Sequence, residues 1–227
     1  MKKIVIVGVG GFGREVAWLI ERINNIQPTW DIIGFVDDNK LLMGEIISGY
    51  PVVGDSVWLN SQTEDIYAVC AIGSSAVRKK VIQKLSNIKF ATLIDPKVEM
   101  SDTVEIGEGT IICTGSVLTV DVSLGSHVII NLNCTIGHDA IIRDYVTIYP
   151  SVNVSGNTYI QKNVEIGTGS QIIQGLEIGR NTIVGAGSVV VRDIPEYCTA
   201  VGSPAKPIKF HKNAVDNFVA EGMHSEG

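Results

Sequence analysis

The sequence predicts a small N-terminal α/β (Rossmann-like) unit followed by a parallel β-helix of hexapeptide repeats. Three observations predict it. Strand-like and helix-like segments alternate up to about residue 95. A glycine-rich stretch, GVGGFG, separates the first of those strands from the first helix. From Lys97 onward the period changes to six residues.

The α/β elements follow in order. KKIVIVG reads as a strand, and the stretch Arg14 to Ile23 as a helix. DIIGFVDD is a second strand and YAVCAIG a third, with YPVVGD between them as a short extra strand and turn. SSAVRKKVIQKLSN is an amphipathic helix whose Val77, Val81 and Leu85 recur at fourfold spacing, and FATLID closes the unit as a strand. Strands that alternate with helices pair in parallel, because each crossover carries the chain back to the same end of the sheet.

The repeat begins where this alternation ends. From Lys97 to Arg192 the chain divides into sixteen blocks of six without an insertion, and each has an aliphatic residue in fourth place, from Met100 to Val190. With about a third of residues aliphatic by chance, such a run has odds of roughly 10⁻⁸, so the repeat is real. Two inward positions per block and glycine at the turns describe the coil of a β-helix. Three blocks per coil stack residues 18 apart, which makes Ile106, Leu124, Ile142, Ile160 and Ile178 one buried column. At about 4.8 Å per coil the prism stands roughly 25 Å tall. Outward third positions should be polar, yet one face carries Ile111, Ile129, Thr147, Glu165 and Ile183. Its stacked isoleucines are expected to mediate self-association. After Arg192 the segment DIPEYCTAVGSPAKPIKF is expected to leave the prism in extended form, and residues 214–227 to form at most a frayed helix. The expected division is therefore 1–95, 96–192 and a tail, 193–227.

Composition narrows the function. A net charge of −6 argues against a nucleic-acid surface, so an anionic ligand must be held largely by backbone N–H groups. Cys70, Cys113, Cys134 and Cys198 have neither CxxC nor zinc spacing, and read as reduced thiols with no metal. The apolar run after Lys2 and Lys3 is too short for a signal peptide, and no stretch approaches a membrane span, so a cytoplasmic protein is expected.

Two places carry chemistry. Gly8, Gly10, Gly11 and Gly13 lie between a strand and a helix, the context in which backbone N–H groups hold a phosphate. Asp37 and Asp38 follow at the distance of a ribose-binding acid, but some 95 residues give only about half of a dinucleotide fold. One nucleotide fits better than NAD. Gly73, Ser74 and Arg78, at the end of the third strand, would complete that pocket. The second place is NCTIGHDAIIRD, where His138 ends its block at a prism corner and precedes Asp139. An imidazole near neutrality suits proton transfer, and an adjacent carboxylate fixes its tautomer. Gly156, 18 residues on, leaves room beside it for a ligand, and its N–H is a candidate donor to a developing oxyanion.

The ordered set GVGGFGRE, FVDD, AIGSSAVRKK, GHD, SGN and GSPAK resembles the bacterial sugar acetyltransferases, both N-acetyltransferases of nucleotide-linked 4-amino sugars and sialic-acid O-acetyltransferases. The resemblance covers nearly the whole chain. It implies a left-handed β-helix, acetyl-CoA as acyl donor, and a homotrimer with sites between subunits. It also implies that His138 is the base with Asp139 as orienter, that Asn131 lies near the sugar, and that the N-terminal unit holds the nucleotide. For the coenzyme it implies contacts from Gly156, Thr168, Ala186, Gly187, Pro204 and Lys206. Thr147 stands where many relatives carry a second histidine, and can donate a hydrogen bond to the coenzyme but not shuttle a proton. Phe12 stands where many have histidine in the glycine loop. N-acetylation of a nucleotide-activated amino sugar for surface glycan synthesis is the first expectation. Sugar O-acetylation is the alternative, and a non-catalytic trimeric module a remote one. A hexapeptide carbonic anhydrase needs three histidine ligands, and the coil offers only His127 and His138.

Overall fold

The structure is a computed structural model that describes residues 1–63 and 65–211. Its first unit comprises β1 (Lys2–Val7), α1 (Gly11–Ile26), β2 (Trp30–Val36), β3 (Ile46–Ile47), β4 (Tyr50–Gly54), α2 (Ser56–Asn60), β5 (Tyr67–Cys70), α3 (Ser75–Lys84) and β6 (Lys89–Phe90). The strands form one sheet in the order β3-β4-β2-β1-β5-β6, parallel except for the β3–β4 pair. Alternation along β1 sends Ile4 and Ile6 toward Val16, Leu19 and Ile20 of α1, while Val5 and Val7 pack with Leu59 and Ile82 on the opposite face.

Three details depart from the sequence reading. Helix α1 starts inside the glycine motif, at Gly11, rather than at Arg14. The buried side of α3 is Ser75, Arg78 and Ile82, whereas Val77 and Val81 line a cavity and Leu85 lies past the helix end. Of FATLID only Phe90 reaches the sheet, closing it together with Lys89, while Leu93–Ile94 pairs with Ile111–Ile112 as the first rung of the prism. The hexad rule already covers ATLIDP, whose fourth residue is Ile94.

The prism is a left-handed parallel β-helix with three flat faces. Rungs of the first face run from Leu93–Ile94 to Ile183–Val184, those of the second from Glu99–Met100 to Val189–Val190, and those of the third from Glu105–Ile106 to Glu177–Ile178. Every rung pairs with the one 18 residues on, as in Leu124↔Ile142 and Ile142↔Ile160. Fourth-place residues from Ile112 to Val190 fill the axis. At each corner the first residue of the next block turns the chain. All fourteen such residues from Gly109 to Gly187 have φ between +52° and +76°. Glycine and asparagine tolerate that region, but His127 and Tyr145 occupy it at a steric cost of order 1–3 kcal/mol each.

The lower part of the first face is not free for a partner, although Ile183 at its top stays exposed. Ile111, Ile129 and Thr147 are fully buried, and both isoleucines pack into one core with Val16, Leu19 and Ile20 of α1. The expected self-association patch is therefore the seam between the chain's own two units. Arg78 pins that seam. Its guanidinium donates to the carbonyls of Ile72, Gly73, His127, Tyr145 and Val146. Burial lowers its pKa to about 10, still charged at neutral pH. Glu165 accepts from the backbone N–H and hydroxyl of Ser75 at the start of α3. Arg22 of α1 grips Asp95 at 2.6 and 2.9 Å.

The segment after Arg192 does not leave the prism. Cys198–Gly202 pairs in parallel with Ile183–Val184 and turns back antiparallel through Ala205–Phe210, capping the last coil. The stretch 214–227 lies outside the described residues.

Replacing Arg78 by Met should leave several buried carbonyls without donors and lower stability by on the order of 3 kcal/mol or more. Arg78→Lys should recover only part of the loss, because an ammonium lacks the planar fork. Urea midpoints check both, and an unchanged midpoint would remove the clamp from the account. His127 is buried between Phe90 and Tyr145, its Nδ1 has no hydrogen-bond partner, and burial lowers its pKa. The folded chain thus resists a proton that the unfolded chain accepts near pH 6.5. Stability from this group should fall as pH drops below about 6.5. His127→Asn, which tolerates the turn, should show a shallower loss of urea midpoint between pH 7.5 and 5.5.

Candidate active site

His138 sits on the edge that joins the second face to the third, between rungs Thr135–Ile136 and Ile141–Ile142. Asp139 adopts the left-handed conformation at the corner, and its N–H donates to the Val120 carbonyl. This turn brings Oδ2 to 2.7 Å from His138 Nδ1. With the carboxylate as acceptor, Nδ1 carries the proton and Nε2 keeps its lone pair. Both side chains are about half exposed. The ring packs against Gly156 of the next coil, where a Cβ would come within 2.5 Å of Nε2 and 2.6 Å of Cε1. Gly156 therefore seats the imidazole itself, so the space left by its absent side chain is filled from within the chain. Among the described residues the Gly156 N–H has no acceptor, while its neighbour Asn157 donates to the His138 carbonyl.

A cavity of about 610 Å³ lies at the C-terminal end of the sheet. Its walls run from the Gly8–Phe12 loop past an apolar stretch, Val36, Ile72, Val77 and Val81, to a polar end at Asp38, Ser56 and Lys84. Gly13 is held 2.1 Å, measured from a hypothetical Cβ, from the Gly8 carbonyl, so only glycine lets α1 start this close to β1. Gly8, Gly10 and Gly11 line the cavity. Asp37 is partly committed to its own turn, accepting from the N–H groups of Val9 and Asn39. Asp38 accepts from the Ser56 hydroxyl and N–H and from Lys84, and these bonds, Ser56 first, lower its pKa. Ser56 and Lys84 were not singled out in the sequence; the signal for Lys84 was its place seven residues after Val77, on the same helix face.

Other expected site residues fall elsewhere. Gly73 lines the cavity, but Ser74 bonds Glu165 across the seam, and Arg78 is turned away into the clamp. Arg78 therefore does not complete the pocket. Thr147 is fully buried, with its hydroxyl donating to the Gly73 carbonyl at 2.7 Å. It therefore contacts no coenzyme on this chain, because nine residues is one and a half blocks and points to a different face from His138. Asn131 is nearly buried on the edge between the first and second faces, its side-chain oxygen accepting from the Leu132 N–H. Thr168 and Ala186 share that edge two and three coils higher, and Gly187 opens the second face. Within one chain, then, the second face separates Asn131, Thr168 and Ala186 from His138 and Gly156. Pro204 and Lys206 lie in the capping hairpin.

Burial raises the thiols of Cys70 and Cys113 to about 12, which leaves them poor nucleophiles. Among the described residues no cluster of histidine, cysteine and carboxylate side chains could hold a metal ion. Nor is any helix among them long and apolar enough to cross a membrane.

Comparison with known proteins agrees with this layout. Residues 3–85 match the PglD N-terminal domain, and residues 157–192 match the bacterial transferase hexapeptide (six repeats). The acetyltransferase domain of PglB from Neisseria gonorrhoeae FA1090, solved with acetyl coenzyme A, is 33% identical. That likeness covers 91% of this chain and 99% of that domain, with a TM-score of 0.84. PerB from Caulobacter crescentus, solved with CoA and GDP-perosamine, is 29% identical over 92% of this chain and 98% of that one, with a TM-score of 0.80. A UDP-N-acetylbacillosamine N-acetyltransferase of Bacillus subtilis (strain 168) is 37% identical over 117 residues, which are 49% of this chain and 51% of the relative. The match thus spans about half the length of that curated relative. Identity above 30% across the whole of a solved acetyltransferase domain, on the same two-unit frame, establishes that the chain belongs to the hexapeptide-repeat sugar acetyltransferases.

Proposed function

We propose that the chain transfers the acetyl group of acetyl-CoA to the amino group of a nucleotide-activated amino sugar, in the synthesis of a surface glycan. The His138–Asp139 pair, half exposed on a prism edge with Nε2 free, carries this reading. The amine nitrogen attacks the thioester carbonyl while Nε2 takes its proton. Asp139 holds Nδ1–H and stabilises the imidazolium that forms. The oxyanion finds a donor in the Gly156 N–H. As the carbon–sulfur bond breaks, the imidazolium returns the proton to the departing thiolate, which leaves as free CoA.

The cavity at the glycine loop supports a nucleotide-linked acceptor over a free sugar, since a free sugar has no use for a phosphate loop continued by an apolar-walled slot with a polar end. Gly8, Gly10 and Gly11 face the diphosphate, and Asp37 and Asp38 the nucleoside. The coenzyme lies along the upper coils, against Gly156, Thr168, Ala186 and Gly187, with Pro204 and Lys206 at its adenosine end. Because these residues occupy two edges of one prism, a homotrimer completes the site. The first edge of one subunit, with Asn131, meets the second edge of the next, with His138, at the same coil height.

His138→Ala should lower kcat/KM by about 10²–10⁴ with the fold and assembly intact, and Asp139→Asn by less. A thiol-release assay with acetyl-CoA and a panel of nucleotide amino sugars measures both; unchanged turnover in an intact His138→Ala protein refutes the mechanism. Mixing inactive His138→Ala and Asn131→Ala chains, followed by subunit exchange, should restore part of the activity. A site contained within one chain would show no restoration.

A further inference from the structure

A hollow of about 390 Å³ lies on the third face, beside the edge that joins it to the first. It is lined by Arg143 and Asp144 of one coil, Tyr159, Gln161 and Lys162 of the next, and Arg180 of the coil above. The chain has 24 acids against 18 lysines and arginines, yet this wall sets three cations against one carboxylate.

That carboxylate is already engaged. Asp144 Oδ1 accepts from the Ser126 N–H at 3.1 Å, and Oδ2 pairs with Lys162 at 2.7 Å. The two arginines are braced differently. Arg143 lies over the Tyr159 ring at 5.3 Å and donates from Nε to the Tyr159 hydroxyl at 3.0 Å. Arg180 lies over the Tyr197 ring at 5.3 Å and donates from Nε to Glu196, an acid outside the hollow, at 2.7 Å. Each guanidinium is thus fixed through Nε and one flat face. Among the described residues their terminal amino groups have no hydrogen-bond partner. Forks held this way lose little freedom when they meet an anion.

Position separates the hollow from the transferase site. In a three-sided prism this edge stands opposite the second face, whose two borders carry Asn131 and His138. Lys79 of α3, 5.9 Å from the Tyr145 ring, extends the positive stretch along the same edge. In the homotrimer proposed above, three such edges point away from one another, so one flat bilayer cannot meet them together. A concave site of this volume suits a small molecule instead. Arg143 and Arg180 are rooted two coils apart, about 10 Å, with Lys162 between them. Linked phosphoryl groups, rather than a single one, match that span, and guanidinium forks bind phosphoryl oxygens in pairs.

We propose that this hollow binds a small ligand carrying two or more linked phosphoryl groups, apart from acceptor and coenzyme. The terminal amino groups of Arg143 and Arg180 and the Lys162 ammonium hold it. Inorganic polyphosphate and a nucleoside triphosphate share this chemistry.

Calorimetric titration of the full chain with tripolyphosphate and with ATP tests the site. Wild type should bind saturably, and Arg143→Gln and Arg180→Gln should each weaken binding about tenfold. Thiol release from acetyl-CoA without added polyphosphate and the thermal midpoint should stay as in wild type. Arg143→Lys, which keeps the charge and loses the fork, should fall between. Equal affinities for the two ligands assign recognition to the phosphoryl groups alone; tighter binding of ATP adds a nucleoside contact. Absence of saturable binding of either ligand overturns the site. So does binding that both glutamine substitutions leave unchanged, or that Lys206→Gln weakens and Arg143→Gln does not, since the anion then sits at the glycine loop or the coenzyme's end.

Discussion

The buried guanidinium of Arg78 is the constraint on which the rest of the molecule depends. Taking a charge out of water costs several kcal/mol, and here five backbone carbonyls offset that cost. Two of them, from Ile72 and Gly73, belong to the end of β5, at the cavity wall. The other three, from His127, Tyr145 and Val146, belong to two prism corners stacked one coil apart on the same edge. His127 and Tyr145 are the bulky residues held in the left-handed region, and their rings stack at 5.3 Å. Their strained corners are thus fixed by the residue that ties the α/β unit to the prism. Position and strain are settled together, and the cavity cannot shift against the prism without breaking the clamp.

The prism contributes a different kind of rigidity. Each rung is only two residues long, so no strand could persist alone, and order comes from stacking at a constant 18-residue register. One insertion would displace every later corner. The unbroken count of sixteen blocks therefore reads as a requirement on the edges, where His138 and Asp139 sit. An edge residue is set by two neighbours in its own turn and by the coils above and below. His138 illustrates this, with Asp139 at Nδ1, Gly156 of the next coil against its ring and Asn157 on its carbonyl.

Electrostatics divides between the two ends of the chain's work. The protein carries a net charge of −6, and the glycine loop sets backbone N–H groups at the start of α1, where a helix N-terminus favours an anion. The acids nearby are already engaged: Asp37 with two N–H groups, Asp38 with Ser56 and Lys84. These bonds hold both carboxylates in position, and those to Asp38 lower its pKa. At the prism edge the imidazole and its carboxylate remain half exposed, open to whatever is brought against them.

Much of this was legible in the residues. The six-residue period, the buried column through Ile142 and Ile160, the parallel α/β order and the His138–Asp139 adjacency all follow from local spacing, which survives folding because neighbours in sequence stay neighbours in space. The sequence could not decide which long-range surface each side chain would meet. Ile111 and Ile129 read as a patch seeking another molecule and instead meet α1 of the same chain. Arg78 read as part of the nucleotide pocket and Thr147 as a coenzyme contact, yet both are taken up by the seam between units. Periodicity tells which way a residue points from its own element; only the docking of two elements, governed by total buried area and by where carbonyls need donors, determines what it points at.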